Sequence, residues 1–196
     1  MNLEEKSKAV AEIFLQLDSE ITKFQSWSSL GCQVGCGKCC FKPDIEATPL
    51  EFLPFAIHLS KIGMGDEWLT KIDHLEDAKI CAILNPTQSG AGLCSQYTNR
   101  GLICRLFGFS ARTNKYEKKE LVTCAIIKEK QTMEYSEATS KIKDGAQVPV
   151  MSEYYLKMHY IDPDLANDFM PINHALKKAI QLALQYFAYK NEEVKD

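Results

Sequence analysis

Four of the chain's eight cysteines fall in one short stretch, Cys32-Gln-Val-Gly-Cys36-Gly-Lys-Cys39-Cys40. A thiolate is a soft donor that suits Zn²⁺, Cu(I) or an iron–sulfur cluster and suits Mg²⁺ or Ca²⁺ poorly. Thiols this closely spaced converge on one metal when a tight loop turns successive Cβ vectors inward. The interleaved Gly31, Gly35 and Gly37 permit positive φ and leave room for backbone N–H groups to approach sulfur.

The remaining four are Cys81, Cys94, Cys104 and Cys124. Taken singly, a free cysteine behaves as a small buried hydrophobe, so each needs company to count as a ligand. Cys81 and Cys94 fall in two short apolar stretches, 79–84 and 93–97, separated by the turn-rich residues 85–92. This pattern predicts a β-hairpin that brings both thiols toward the loop. Cys94 and Cys104 also have polar company in Tyr97, Arg100 and Arg105. All eight cysteines are therefore candidate ligands, with Cys36, Cys39, Cys40 and Cys94 expected to matter most. A metal holding four thiolates is net negative, so Arg100 and Arg105 would stabilise it and keep thiols ionised.

The spacing leaves the metal open between zinc and an iron–sulfur cluster. Zinc sites commonly join two C-x2-C knuckles; Cys36-x2-Cys39 supplies one, and no second follows. A [4Fe–4S] cluster often takes three close ligands and one remote, which this pattern also matches. Eight thiols could equally serve two sites, or a binuclear centre bridged by the adjacent Cys39-Cys40 pair.

The elements that must position these thiols are mostly helical. Residues 3–26 carry Leu3, Val10, Leu17 and Phe24 at intervals of seven, with Ile13, Phe14 and Ile21 on the same face, the mark of an amphipathic helix. Residues 27–43 break that pattern and read as a loop. Thr48-Pro49-Leu50-Glu51 starts a second helix with an N-cap, a proline at the first position and a capping-box glutamate. Pro54 removes a backbone donor one turn on, so a bend or restart is expected there. A short helix is expected over 66–78, and extended segments over 106–110 and 121–127. Helices are expected over 149–160 and 172–190, the latter with Leu176, Ile180, Ala183 and Phe187 on one stripe. Asp162-Pro163-Asp164 reads as a helix start, and the polar tail 191–196 as frayed. The fold class is mainly α: a compact helical single domain over 1–196 with a small β-hairpin beside a cysteine-rich metal-binding loop. The cysteine region, 30–125, is flanked by the helix at 3–26 and those within 149–190.

Composition narrows the function. With 196 residues and 45% hydrophobic side chains, the chain can bury a core without staples. Its net charge of −3 argues against a nucleic-acid footprint, which needs a clustered basic face. No run approaches a membrane span, and the start Met1-Asn2-Leu3-Glu4-Glu5-Lys6 opens no signal-peptide apolar region. The sequence thus reads as cytosolic, where thiols stay reduced and grouped cysteines bind metal more often than they pair. His58, His74, His159 and His174 are too scattered for a zinc face. No G-x-S-x-G, phosphate-binding or dinucleotide motif occurs. Cys32-x3-Cys36-x2-Cys39 matches the radical S-adenosylmethionine spacing, but Lys38 stands where those enzymes carry an aromatic residue, and a helix precedes the loop instead of a barrel strand.

Two motifs together carry a resemblance. Cys32-x3-Cys36-x2-Cys39-Cys40 and Cys94-x2-Tyr97-x2-Arg100-Gly101-x2-Cys104-Arg105 resemble the signature of the YkgJ-like cysteine-cluster family of zinc- or iron-chelating proteins, C-x(2,3)-C-x2-C-C followed by C-x2-Y-x2-R-P-x2-C-R. The stretches at 47–51 and 81–84 are also similar, so the resemblance covers residues 30–125. Gly101 stands where the family usually has proline. The resemblance implies metal chelation by the cysteines in a structural or redox role, and it supplies no reaction. One relative, the flagellin lysine N-methylase, has a similar cysteine domain, so modification of a protein side chain is the alternative by analogy. A metal carrier or sensor, with exposed exchangeable thiols, is a further alternative. The implied partner is a metal ion or cluster; no nucleic acid or membrane is expected, and the sequence names no protein partner.

Overall fold

A computed structural model describes residues 1–33, 36–42, 45–75, 80–86 and 92–193. It is mainly α. The chain divides into two compact units, each assembled from separated segments. Helix α1, Leu3–Ser28, contributes its first residues to one unit and the rest to the other. Its expected stripe is buried at Val10, Phe14, Leu17, Ile21 and Phe24, all at most 5% exposed, and half-buried at Leu3 and Ile13.

The first unit comprises Met1–Ala11, Gly35–Gly101 and Met158–Asp196. Its core is helix α2, Pro49–Lys61, packed along helix α9, Ile172–Glu193. On α9, Ala175, Leu176, Ala179, Ile180 and Ala183 are essentially inaccessible. The recurrence of alanine every four residues allows a close helix–helix approach. Helix α3, Gly65–Asp73, also packs on α9, and a Cβ on Gly65 would lie 2.6 Å from Leu184 Cδ2, so a larger residue there would force that side chain to shift. Helix α8, Pro163–Asn167, is capped by Asp162, whose carboxylate accepts the Leu165 N–H at 3.0 Å.

Helix α2 opens as its sequence predicts, with Glu51 Oε1 accepting the Thr48 N–H at 3.0 Å. Pro54, however, neither ends nor restarts it; the helix runs on to Lys61. An internal proline costs ~3 kcal/mol, whereas each fully buried large apolar side chain gains ~1.5–3 kcal/mol. Leu50, Phe52, Leu53, Phe55 and Leu59 are all buried on this helix, so packing outweighs the lost hydrogen bond.

Strand β2, Leu84–Pro86, pairs antiparallel with β3, Gly92–Cys94. The expected hairpin exists, but Cys81 precedes the strand instead of lying on it, and Tyr97 opens a 3₁₀ turn, Tyr97–Asn99. A second ladder pairs β1, Glu46–Ala47, with β6, Met170–Pro171.

The second unit comprises Glu12–Val34 and Leu102–Lys157. Residues 106–110 are not extended: helix α4, Leu102–Leu106, ends among them. The strands here are β4, Ser110–Thr113, and β5, Lys119–Val122. Beyond Val122 the expected extension gives way to helix α5, Ala125–Lys130. Helix α6, Thr132–Lys143, which packs on β5, went unforeseen because only Ala138 and Ile142 bury their side chains on it. Helix α7, Met151–Ile161, starts two residues after Pro149.

Several expectations fall partly outside the described residues: the end of the 66–78 helix, Lys79 of the first strand, most of the 85–92 turn and the last three residues of the tail. Among the described residues, α3 ends at Asp73.

Candidate metal centre

Gly37 adopts φ 54° and precedes a 3₁₀ turn, Lys38–Phe41. That left-handed conformation is one glycine reaches without steric cost. The turn closes with the Cys40 N–H donating to the Gly37 carbonyl at 2.9 Å, and it sets Cys39 and Cys40 on consecutive positions. The Cys39 thiol is held down at about 6, chiefly by a hydrogen bond from the Cys40 side chain. Partial burial opposes this, while the backbone amides of Cys39 and Cys40 and the Arg100 guanidinium assist it.

Cys81 comes to the same place from a different segment. Its N–H donates to the Cys40 carbonyl at 3.0 Å, and its carbonyl accepts the Leu84 N–H at 3.0 Å. The resulting turn points the amides of Ile83 and Leu84 at its sulfur. Burial nevertheless pushes the Cys81 thiol up to about 11, with the neighbouring Cys94 and Cys39 adding to the rise. Cys94 lies at the end of β3, where it pairs with Leu84. The next residue, Ser95, locks the hairpin by donating both its N–H (2.9 Å) and its hydroxyl (2.7 Å) to the Ile83 carbonyl. Cys39, Cys40, Cys81 and Cys94 are thereby neighbours in the first unit.

The family model CxxCxxCC, described as "Putative zinc- or iron-chelating domain", matches residues 31–141, more than half of the chain. The chain belongs to the CxxCxxCC family. No curated protein and no solved structure matches it. Membership supports a metal-binding role for this protein.

The residues of this CxxCxxCC protein fit such a metal. Four soft donors share one neighbourhood, one already inclined to ionise, and backbone amides are aimed at two of the sulfurs. Amide-to-sulfur hydrogen bonds stabilise metal-bound thiolate, and a cation reverses the protonation preference that burial gives Cys81. Among the described residues, no three Cys, His, Asp or Glu side chains already surround a common point as a finished cage.

The structure places the other cysteines as follows. Cys36 is half-buried one residue before Gly37. Cys32, Cys104 and Cys124 belong to the second unit. Cys32 is exposed, Cys104 lies half-buried on α4, and Cys124 caps α5, its sulfur accepting the Ile127 N–H at 3.4 Å. Cys36, Cys39, Cys81 and Cys124 carry free thiols.

The two arginines differ. Arg100 stacks on Tyr97, 4.0 Å from the ring centre, and its charge reaches Cys39. Arg105 is only 4% exposed; it pairs with Asp18 and lies 4.4 Å over the Phe14 ring, so its first role is to hold α4 on α1 within the second unit. His58, His74 and His174 are exposed and His159 meets Asn167. Among the described residues no helix is long and apolar enough to cross a membrane.

One residue at the centre went unnoticed in the sequence. Asn173, at the second position of α9, accepts the Ala82 N–H on Oδ1 and donates from Nδ2 to the Ile80 carbonyl, both at 2.8 Å. No local motif marks it, since its partners lie more than ninety residues away.

Proposed function

We propose that this protein is a cytosolic metal-binding protein that holds zinc or an iron–sulfur cluster through Cys39, Cys40, Cys81 and Cys94, in a structural or electron-carrying role. The observation that carries this reading is the Cys81 turn. Two backbone amides face its sulfur and the Cys39 and Cys94 thiols stand beside it, an arrangement that favours a metal ligand over a packing residue. When bound, the metal would cross-link three segments of the first unit, or pass electrons if it is a cluster. The chain's own residues bind it, aim N–H groups at its thiolates and keep Cys81 from water. Cys36 completes the candidate set within the first unit, and Cys32, Cys104 and Cys124 are the candidates of the second.

The test is metal analysis of protein purified without oxygen, combined with visible absorbance. A brown solution with broad absorbance identifies iron–sulfur; a colourless one with stoichiometric zinc identifies a zinc site. Cys81→Ser should lower metal content markedly. Metal-free protein that stays folded and takes up neither zinc nor iron would overturn the reading.

A further inference from the structure

Cys81 presents its thiol only because its backbone is fixed on both sides. Three backbone polar groups of its two flanking peptides are bonded, and each has a partner distant in sequence. The Ile80 carbonyl accepts from Asn173 Nδ2, the Cys81 N–H donates to the Cys40 carbonyl, and the Ala82 N–H donates to Asn173 Oδ1. A carboxamide suits this task because it carries a donor and an acceptor on one short stem. An aspartate in the same place could accept from Ala82 but would set its second oxygen against the Ile80 carbonyl. The stem itself is anchored, since the Ile172 N–H donates to the Ile45 carbonyl at 3.0 Å and α9 packs along α2 in the core of the first unit.

We propose that Asn173 is a positioning residue for the Cys81 thiol, so that the metal centre extends beyond the segment 31–141 and depends on helix α9. This rests on the reading of Cys81 as a ligand. Without the bracket, the peptide groups on either side of Cys81 turn to water, the 81–84 turn loosens and the buried thiol swings out. The side chain touches no metal; it acts through the backbone of the ligand.

The experiment measures Cys81 itself, apart from any metal. Metal-free wild type, Asn173→Ala, Asn173→Asp and Leu176→Ala are exposed to a maleimide, and modification is followed cysteine by cysteine by mass spectrometry. Leu176→Ala is the control for general destabilisation, as Leu176 is 1% exposed on the same helix and makes none of the turn's hydrogen bonds described above. Both Asn173 variants should raise the alkylation rate of Cys81 by about tenfold or more, the factor corresponding to one lost hydrogen bond to a buried group. Leu176→Ala, which leaves a cavity in the core, should raise that rate less than either Asn173 variant. In metal-loaded protein, the same Asn173 variants should release metal to a chelator faster. Wild-type alkylation of Cys81 in Asn173→Ala, or an equal rise in Leu176→Ala, would overturn the inference while leaving Cys81 a ligand. Wild-type metal content in Cys81→Ser would overturn the ligand reading instead, a result the alkylation arm cannot produce.

Discussion

The Arg100 guanidinium lies 4.0 Å from the centre of the Tyr97 ring, so the Tyr-x2-Arg spacing is a stacked pair. Such contacts are worth ~0.5–1 kcal/mol at exposed sites, and Tyr97 is 57% exposed. The pair therefore contributes modestly to stability, and its larger effect is to direct a fixed positive charge toward Cys39.

That charge is nonetheless the smaller influence on Cys39. The side chain of Cys40 is the first cause of its lowered pKa, and Arg100 follows the backbone amides. In metal-free protein, the thiolate absorbance of Cys39 should titrate with a midpoint at about 6 instead of 9.0. Cys40→Ala should raise that midpoint toward 9.0, and Arg100→Gln should raise it less. A larger shift in Arg100→Gln than in Cys40→Ala would reverse the assignment.

Gly101 occupies the position where the resembling motif carries proline, and the structure supplies a reason. A Cβ there would lie 2.9 Å from Phe52 Cζ and 3.0 Å from Glu51 Oε2, and both side chains are buried. Gly101→Ala and Gly101→Pro should each destabilise the protein by ~1–3 kcal/mol, the usual cost of overpacking, in denaturant titrations. Phe52→Leu costs stability alone but should recover part of the Gly101→Ala loss, because contacting sites couple. Additive losses in the double variant would show that the ring is not the obstacle.

Acid should weaken the first unit through Glu4 and Asp162. Glu4 is drawn down to about 2 by Lys190 and then Lys61, whose ammonium groups stand 2.6 and 2.8 Å from it. Burial works against Asp162, yet the Leu165 N–H and Lys6 outweigh it and lower its pKa. A carboxylate whose folded pKa is depressed contributes stability above its unfolded value and loses it as pH falls through the folded value. For Glu4 the window runs from 4.5 down to about 2. Melting temperatures should therefore favour wild type over Glu4→Gln at neutral pH, converge across that window, and converge sooner in high salt, since both lysines are half-exposed. A constant gap from pH 7 to pH 2 would exclude the Glu4 cluster as the cause.

Gln131 holds the start of the cysteine loop in the second unit. Its carboxamide accepts the Gly31 N–H at 2.9 Å and donates to the Gly31 carbonyl at 2.7 Å, next to Cys32. Gln131→Ala should cost ~1–3 kcal/mol, the net worth of two hydrogen bonds, and should speed proteolysis near residue 31. Gln131→Glu is not a rescue, because its carboxylate would face the Gly31 carbonyl. Wild-type stability in Gln131→Glu would refute the two-bond clamp.

Local signals account for what the sequence made legible. The recurrence of Val10, Leu17 and Phe24 announced α1, and Thr48, Pro49 and Glu51 announced the start of α2. Pro54 misled because a local rule was overridden by the burial of its neighbours. Helix α6 carried too few buried side chains to show a face. Of the proposed ligands, Cys39, Cys40 and Cys94 stand out by spacing, whereas Cys81 carries no such signal. Its surroundings are made by Cys40 and Asn173, and neither contact leaves a trace in the residues beside it.

The bonds from Asn173 to Ile80 and Ala82 span 93 and 91 residues. At translation speeds of ~5–20 residues per second, Cys81 is synthesised roughly 5–20 s before the side chain that frames it. A nascent chain thus displays the thiols of residues 32–40 and Cys81 while the bracket does not yet exist. On the proposed ligand set, metallation that needs the bracket follows the docking of α9, and the order of synthesis makes the maturation of such a centre a late event.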